Sequence, residues 1–211
     1  VFGQVVLGAF KYSNLIQVSS ELAQDSQFDI MSYVSNLAGQ GVARVMGTDF
    51  SNGSGSSKPK GIAQAATSFG TSASATTITA ANICEVWSTM STQYNNSDTK
   101  WLMSPSAEKL IRLLADSNGQ YIWQPGLTAG TPANLVGYDV FTDSNLDAAT
   151  SGKRALVFAH MPSFFVRLAG GLQLATSTDY AFNADLITIR ANMRGDSDVV
   201  DTNGIGCLTQ A

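Results

Sequence analysis

Any acid–base or hydrolytic chemistry at neutral pH in this 211-residue chain turns on its one histidine, His160. It ends an apolar strand pattern just before Met161-Pro162, where a structural hydrogen bond is the plainer role. No GxSxG elbow accompanies it, and neither Cys84 nor Cys207 stands at zinc-ligand spacing from it. The cysteines lie far apart inside apolar patterns and read as buried free thiols, with a disulfide left open. Glu21 and Asp25 are four residues apart, so one helical face holds both, yet a helix N-terminus favours carboxylates without any catalysis. Asp179, Asp185, Arg190, Arg194, Asp196 and Asp198 alternate in sign, a pattern expected of intrachain or intersubunit ion pairs. Asp49, Ser51 and Gly53 begin a calcium-loop pattern whose closing glutamate is missing. There is no GxxxxGK[ST] phosphate loop. The expectation is that no residue is catalytic, cofactor-binding or metal-ligating. An enzyme would need a cleft where His160 converges with Asp or Glu side chains.

Composition narrows the partners. Charged residues are 13% of the chain against 44% hydrophobic, about half the usual charged share of roughly 25%. The uncharged polar residues that replace them approach another protein without the cost of stripping water from charges. The net charge is −4, and the densest positive spot is Lys58 and Lys60, so specific nucleic-acid recognition is not expected. No apolar run reaches the ~18 residues of a membrane span, so no membrane partner is expected.

The elements that would position these groups read as α+β, helices early and strands late. Residues 2–19 alternate loosely in an extended pattern that begins at Val1, which predicts a segment before Val1 and a pairing partner outside the chain. Apolar residues from Phe28 to Gly47 recur at three and four, predicting a helix that starts near Ser26 and spans about 30 Å. Residues 50–62, FSNGSGSSKPKGI, read as a flexible turn, and 67–77 as irregular. Helices are expected from the Thr79 cap through Met90, and from Ser104-Pro105 to a stop at Ser117-Asn118-Gly119. A Gly/Pro-rich loop follows through Pro132. Short strands are expected at 100–104, 135–141, 156–159, 164–168, 172–175, 186–191, 199–200 and 204–208. Trp87, Trp101 and Trp123 sit in apolar patterns as core or interface anchors.

Four segments in order carry a resemblance. VSSELAQDS at 18–26, SNGSGSSKPKGI at 51–62, WLMSPSAEKLIRLLADSNGQYIW at 101–123 and LVGYDVFTDSNL at 135–146 resemble the major capsid protein of tailed bacteriophages, the HK97-like family. The resemblance implies a partial extended loop (E-loop) at 1–19, a peripheral domain with a spine helix at 20–79, an axial domain at 80–175 and a second peripheral part at 176–211. It implies a non-enzymatic shell subunit of the virion, assembled in the host cytoplasm, that closes into pentamers and hexamers. Such a shell is icosahedral and encloses double-stranded DNA, which it touches non-specifically. Scaffolding, portal or decoration proteins are further implied partners. An encapsulin-like compartment subunit is the alternative within the same fold.

The same resemblance bears on covalent cross-linking. The founding member joins an E-loop lysine to a peripheral asparagine, promoted by a glutamate. Those positions fall at Gln4, at or beside Asp185, and at Asn192, so the cross-link is expected to be absent. Lys11 and Asn183 lie nearby in sequence but on different parts of their strands.

Overall fold

The computed structural model describes residues 4–27, 29–115, 118–123 and 134–211. Strand β1 (Phe10–Ser19) pairs antiparallel with β9 (Leu186–Val199) over ten register pairs, from Phe10 opposite Gly195 to Ser19 opposite Leu186. Its partner is thus supplied by the chain's own last third, which the extended pattern of residues 2–19 did not anticipate. Strands β7 (Phe164–Leu168) and β8 (Gln173–Ala181) share the far side of β9, completing a four-stranded sheet. Two runs expected as separate strands, 186–191 and 199–200, are joined in one 14-residue strand that ends at Val199. No single strand lies across β9 on its far side; two shorter ones divide it.

One helix covers this sheet. The expected helix from Ser26 divides into α1 (Ser20–Asp25) and α2 (Ile30–Asn52). Asp29 takes the cap of α2, accepting from Ser32 N at 3.1 Å and Ser32 Oγ at 2.6 Å. A carboxylate satisfying two donors outcompetes Ser26 as the starting point. The helix also outruns its expected end at Gly47; at 23 residues it is about 35 Å long. Val34, Ala38, Val42 and Met46 face Ile189 and Ala191 of β9 and Tyr12 and Ile16 of β1.

The second sheet has six strands, in the order β2 (Thr67–Thr71), β10 (Ile205–Thr209), β6 (Leu156–His160), β3 (Thr99–Met103), β5 (Tyr138–Thr142) and β4 (Asn134–Leu135). Strand β6 explains its own composition. Leu156 and Phe158 join Trp101, Met103, Ile83, Val86 and Ile111 under α4 (Ala80–Thr89) and α5 (Pro105–Arg112). Val157 and Ala159 face Ile62, Ala63 and Cys207 beside α3 (Ile62–Ala65). A strand buried on both sides reads as a continuous apolar run.

Other departures have local causes. The strand expected over 135–141 is a hairpin, because Val136 and Gly137 both take positive φ, 51° and 83°, as a two-residue primed turn needs. The Ser/Thr-rich stretch 67–77 supplies the edge strand β2, parallel to β10, where its neighbours rather than its own alternation define it. Helix α5 stops at Arg112 because Leu114 N turns back to Ile111 O, at 3.1 Å. Phe28, Ser117 and the Gly/Pro-rich stretch 124–133 lie outside the described residues.

The segment read as a flexible turn is closed tightly. Gly53 N donates to Asp49 O at 2.7 Å, Gly61 N to Gly53 O at 2.9 Å, and Lys60 N to Ser197 O at 3.1 Å. A Cβ on Gly61 would fall 2.4 Å from Gly53 N. Two backbones touch here, and only glycine permits it.

Candidate functional site

His160 lies among polar partners. Its Nδ1 is 2.9 Å from Ser163 Oγ, its ring is 5.6 Å from that of Tyr94, and the Tyr94 hydroxyl donates to Asp201. That bond holds the Asp201 carboxyl below the usual range and pushes the Tyr94 phenol up. Ser163 is buried, and Gly204 passes so close that a Cβ there would meet Ser163 Oγ at 2.6 Å. The imidazole is committed to the serine and Asp201 to the tyrosine, so the cluster braces three turns.

The remaining candidates divide. Cys207 is buried and its thiol is pushed up by desolvation. Cys84 is exposed, contrary to expectation, because α4 turns Ile83 and Val86 inward and leaves Cys84 outside. Both thiols are free. Asp49, from the calcium-like pattern, is occupied by the Tyr12 hydroxyl at 2.9 Å and Lys58 at 3.4 Å. Among the described residues no three His, Cys, Asp or Glu side chains group to hold a metal. Trp101 is buried, its Nε1 donating to Leu135 O at 3.0 Å, and Trp123 Nε1 donates to Asn134 O at 2.8 Å. Trp87 differs: it is 36% exposed and lines a cleft with Tyr138 and Val136.

The alternating charges of the last third do not pair with one another within the chain. Asp198 meets Lys60 at 3.8 Å, Asp196 accepts from Gly8 N at 2.5 Å, and Asp185 accepts from the Ser20 hydroxyl. Arg190, Arg194 and Asp179 take no part in the five ion pairs among the described residues. Both arginines are exposed on β9, on the sheet face turned away from α2.

Strand β1 adds to that face. Lys11, Ser13, Leu15 and Gln17 alternate outward, and Lys11 stands directly opposite Arg194. Asn192 lies opposite Ser13, 2.7 Å from its hydroxyl, and accepts from Arg190 Nε at 3.2 Å once its amide is turned to satisfy all partners. Lys11, Gln173, Asn192 and Arg194 line a cleft of about 250 Å³. The signal for Lys11 was the period-two pattern of β1; its opposition to Arg194 required the register.

Two sheets, with one long helix laid along the four-stranded one, make a mixed α and β fold of the HK97-like type. The chain matches the phage capsid family over residues 1–209 and belongs to that family. It is accordingly a structural shell subunit of a phage capsid, a component of the virion and not an enzyme. Its fold is similar to the capsid of an empty GTA particle computed with C5 symmetry, with a TM-score of 0.88 and 20% identity over 98% of this chain and 75% of that one. The capsid of the native GTA particle gives 0.88 and 20% over 98% and 74%. A structure from Gordonia phage Cozz gives 0.73 and 12% over 97% and 71%. No curated protein sequence matches the chain. No helix among the described residues is long and apolar enough to cross a membrane.

Proposed function

We propose that copies of this chain close into pentamers and hexamers that tile an icosahedral shell around double-stranded DNA, assembled in the host cytoplasm. The observation that carries this reading is the similarity of nearly the whole chain to a capsid subunit from a particle with C5 symmetry. The peripheral domain is residues 20–79 and 176–211, with helix α2 and β9, and residues 80–175 form the axial domain; β1 and β7, from outside the peripheral bounds, pair with β9 and complete its sheet. Strands β2 and β10 belong to the flanking segments in sequence but pair in the six-stranded sheet, so they tie the two parts together. Residues 1–19 are the partial E-loop and its base.

DNA contact is non-specific, since a net charge of −4 without a basic tract supports no strong phosphate affinity. Scaffolding, portal or decoration proteins act at the assembled shell. No lysine–asparagine cross-link forms: Gln4 replaces the lysine, and the Asp185 carboxylate is engaged by Ser20. Sedimentation velocity and electron microscopy of the full-length protein test the assembly. Rings or closed particles are expected, and a monomer at every salt concentration overturns it. Covalent ladders on a denaturing gel of those particles would contradict the missing cross-link.

A further inference from the structure

We propose that Lys11 and Arg194 form the receiving half of a head-to-tail contact, accepting the carboxylates of Glu21 and Asp25 from a neighbouring copy. The proposal rests on the self-association proposed above and names the surface that carries it.

The starting observation is an unfavourable one. Lys11 and Arg194 are directly opposed in an antiparallel strand pair, both exposed on the same sheet face. Like charges held opposite one another destabilise a sheet. Neither enters an ion pair among the described residues, and Asp196, two residues along β9, accepts instead from Gly8 N. The pattern is not a general excess of cations in an acidic chain with twelve Lys and Arg. Five of the twelve are paired with acids, and Arg154 and Arg167 donate to backbone carbonyls. Of the five left over, Arg190 donates only to the neutral Asn192 amide, and it shares this one face with Lys11 and Arg194.

The complementary charges lie at the other end of the same sheet. Strand β1 leaves the sheet at Ser19, opposite Leu186, and enters α1, where Glu21 and Asp25 are exposed. Asp179 and Asp185 lie at that end too, and neither carboxylate is in an ion pair among the described residues. Eight residues of β9, roughly 26 Å of strand, separate Arg194 from Leu186. The two poles therefore cannot meet within one subunit. A two-fold contact through the basic face would set cation on cation, whereas a head-to-tail contact joins opposite poles and closes into a ring when the rotation permits. Duplex DNA is the poorer occupant, because three cations on a chain of net charge −4 offer little counterion release.

This arrangement separates assembly from folding. Lys11→Glu turns the repulsive cross-strand pair into an attractive one, so the isolated subunit should melt at a higher temperature. The same substitution removes the receiving charge, so the concentration needed for assembly should rise by about tenfold or more. Arg194→Gln, which removes the repulsion without adding charge, should move both readouts in the same directions to a smaller degree. Glu21→Lys with Asp25→Lys should restore assembly to the Lys11→Glu, Arg194→Glu variant. The experiment is sedimentation velocity with a parallel thermal melt on the full-length protein, over a salt series. If the wild type assembles and Lys11→Glu assembles as readily, this contact is overturned and the shell reading stands. If the wild type never assembles, the shell reading fails and this contact with it. Loss of duplex DNA retention with assembly unchanged would assign the pair to nucleic acid and overturn the proposal.

Discussion

Gly206 runs beneath the ring of Phe69, so close that a Cβ on the glycine would lie 1.9 Å from Phe69 Cδ2. Phe69 is the extra residue where β2 shifts register, between the Cys207–Ser68 and Leu208–Gly70 pairs. A bulge leaves one residue unpaired and re-aims its side chain. Here the ring folds back over β10 and packs against the core beneath α4. Gly206→Ala should therefore destabilise the fold by about 2 kcal/mol, as overpacking does. Adding Phe69→Ala to Gly206→Ala should cost less than the sum of the two single changes, a coupling that chemical denaturation of all three variants measures.

Gly61 makes a harder demand. A Cβ there meets Gly53 N at 2.4 Å and Asn52 N at 2.5 Å, both backbone atoms that no rotamer change can move. Gly61→Ala should cost about 3 kcal/mol and open the 53–61 loop from Ser197. Proteolysis should then cut within residues 54–58, which the closed wild-type loop resists.

The N-terminal stretch divides at Phe10. Residues 4–9 lie outside regular structure, whereas Tyr12, Ile16 and Val18 pack under α2. Deleting residues 1–9 should leave a cooperative melt and weaken particle formation. Deleting residues 1–17, which removes most of β1, should abolish the melt of the four-stranded sheet, so the arm serves the fold from Phe10 onward. Circular dichroism and calorimetry on the two truncations check this.

The two thiols should differ in reactivity. Native protein should consume one equivalent of a thiol reagent quickly, at exposed Cys84, and a second only after unfolding exposes Cys207. Burial pushes the Cys207 thiol up and lowers its thiolate fraction further. Cys84→Ser should abolish the fast phase alone.

Acid should loosen two specific points. The hydroxyl of Ser32 and then its amide hold the Asp29 carboxyl below the ordinary 3.8, and the Tyr94 hydroxyl does the same for Asp201. A depressed folded value contributes stability above the unfolded value and loses it as pH falls through the folded one. These contributions should thus be constant above about pH 5 and decline below the ordinary carboxylate value of 3.8. Asp29→Asn keeps an acceptor at the helix cap, so it should flatten the acid dependence of amide protection at Tyr33 and Val34. Tyr94→Phe should do so at Thr202–Gly204. Hydrogen exchange read by mass spectrometry or NMR tests both.

Local signals were readable from the chain because local forces decide them. Ser104-Pro105 and Thr79 with Asn82 start α5 and α4 where their caps predict, since a cap is a contact between residues three apart. The run Leu156–Ala159 announced a short strand, and the four ordered segments carried the family. What sequence could not supply were relations across long separations. Strand β1 finds β9 some 180 positions away, Phe69 crosses to Gly206, and Lys11 comes to face Arg194. Each of those outcomes depends on register, and a slip of one residue would turn Lys11 toward α2 and Tyr12 toward solvent. The sequence therefore determined the capped helices, most of the apolar strands and what kind of protein they make. Only the tertiary structure decided which charges stand together on an open face, because pairing partners are chosen by the packing of α2 against a sheet assembled from both ends of the chain.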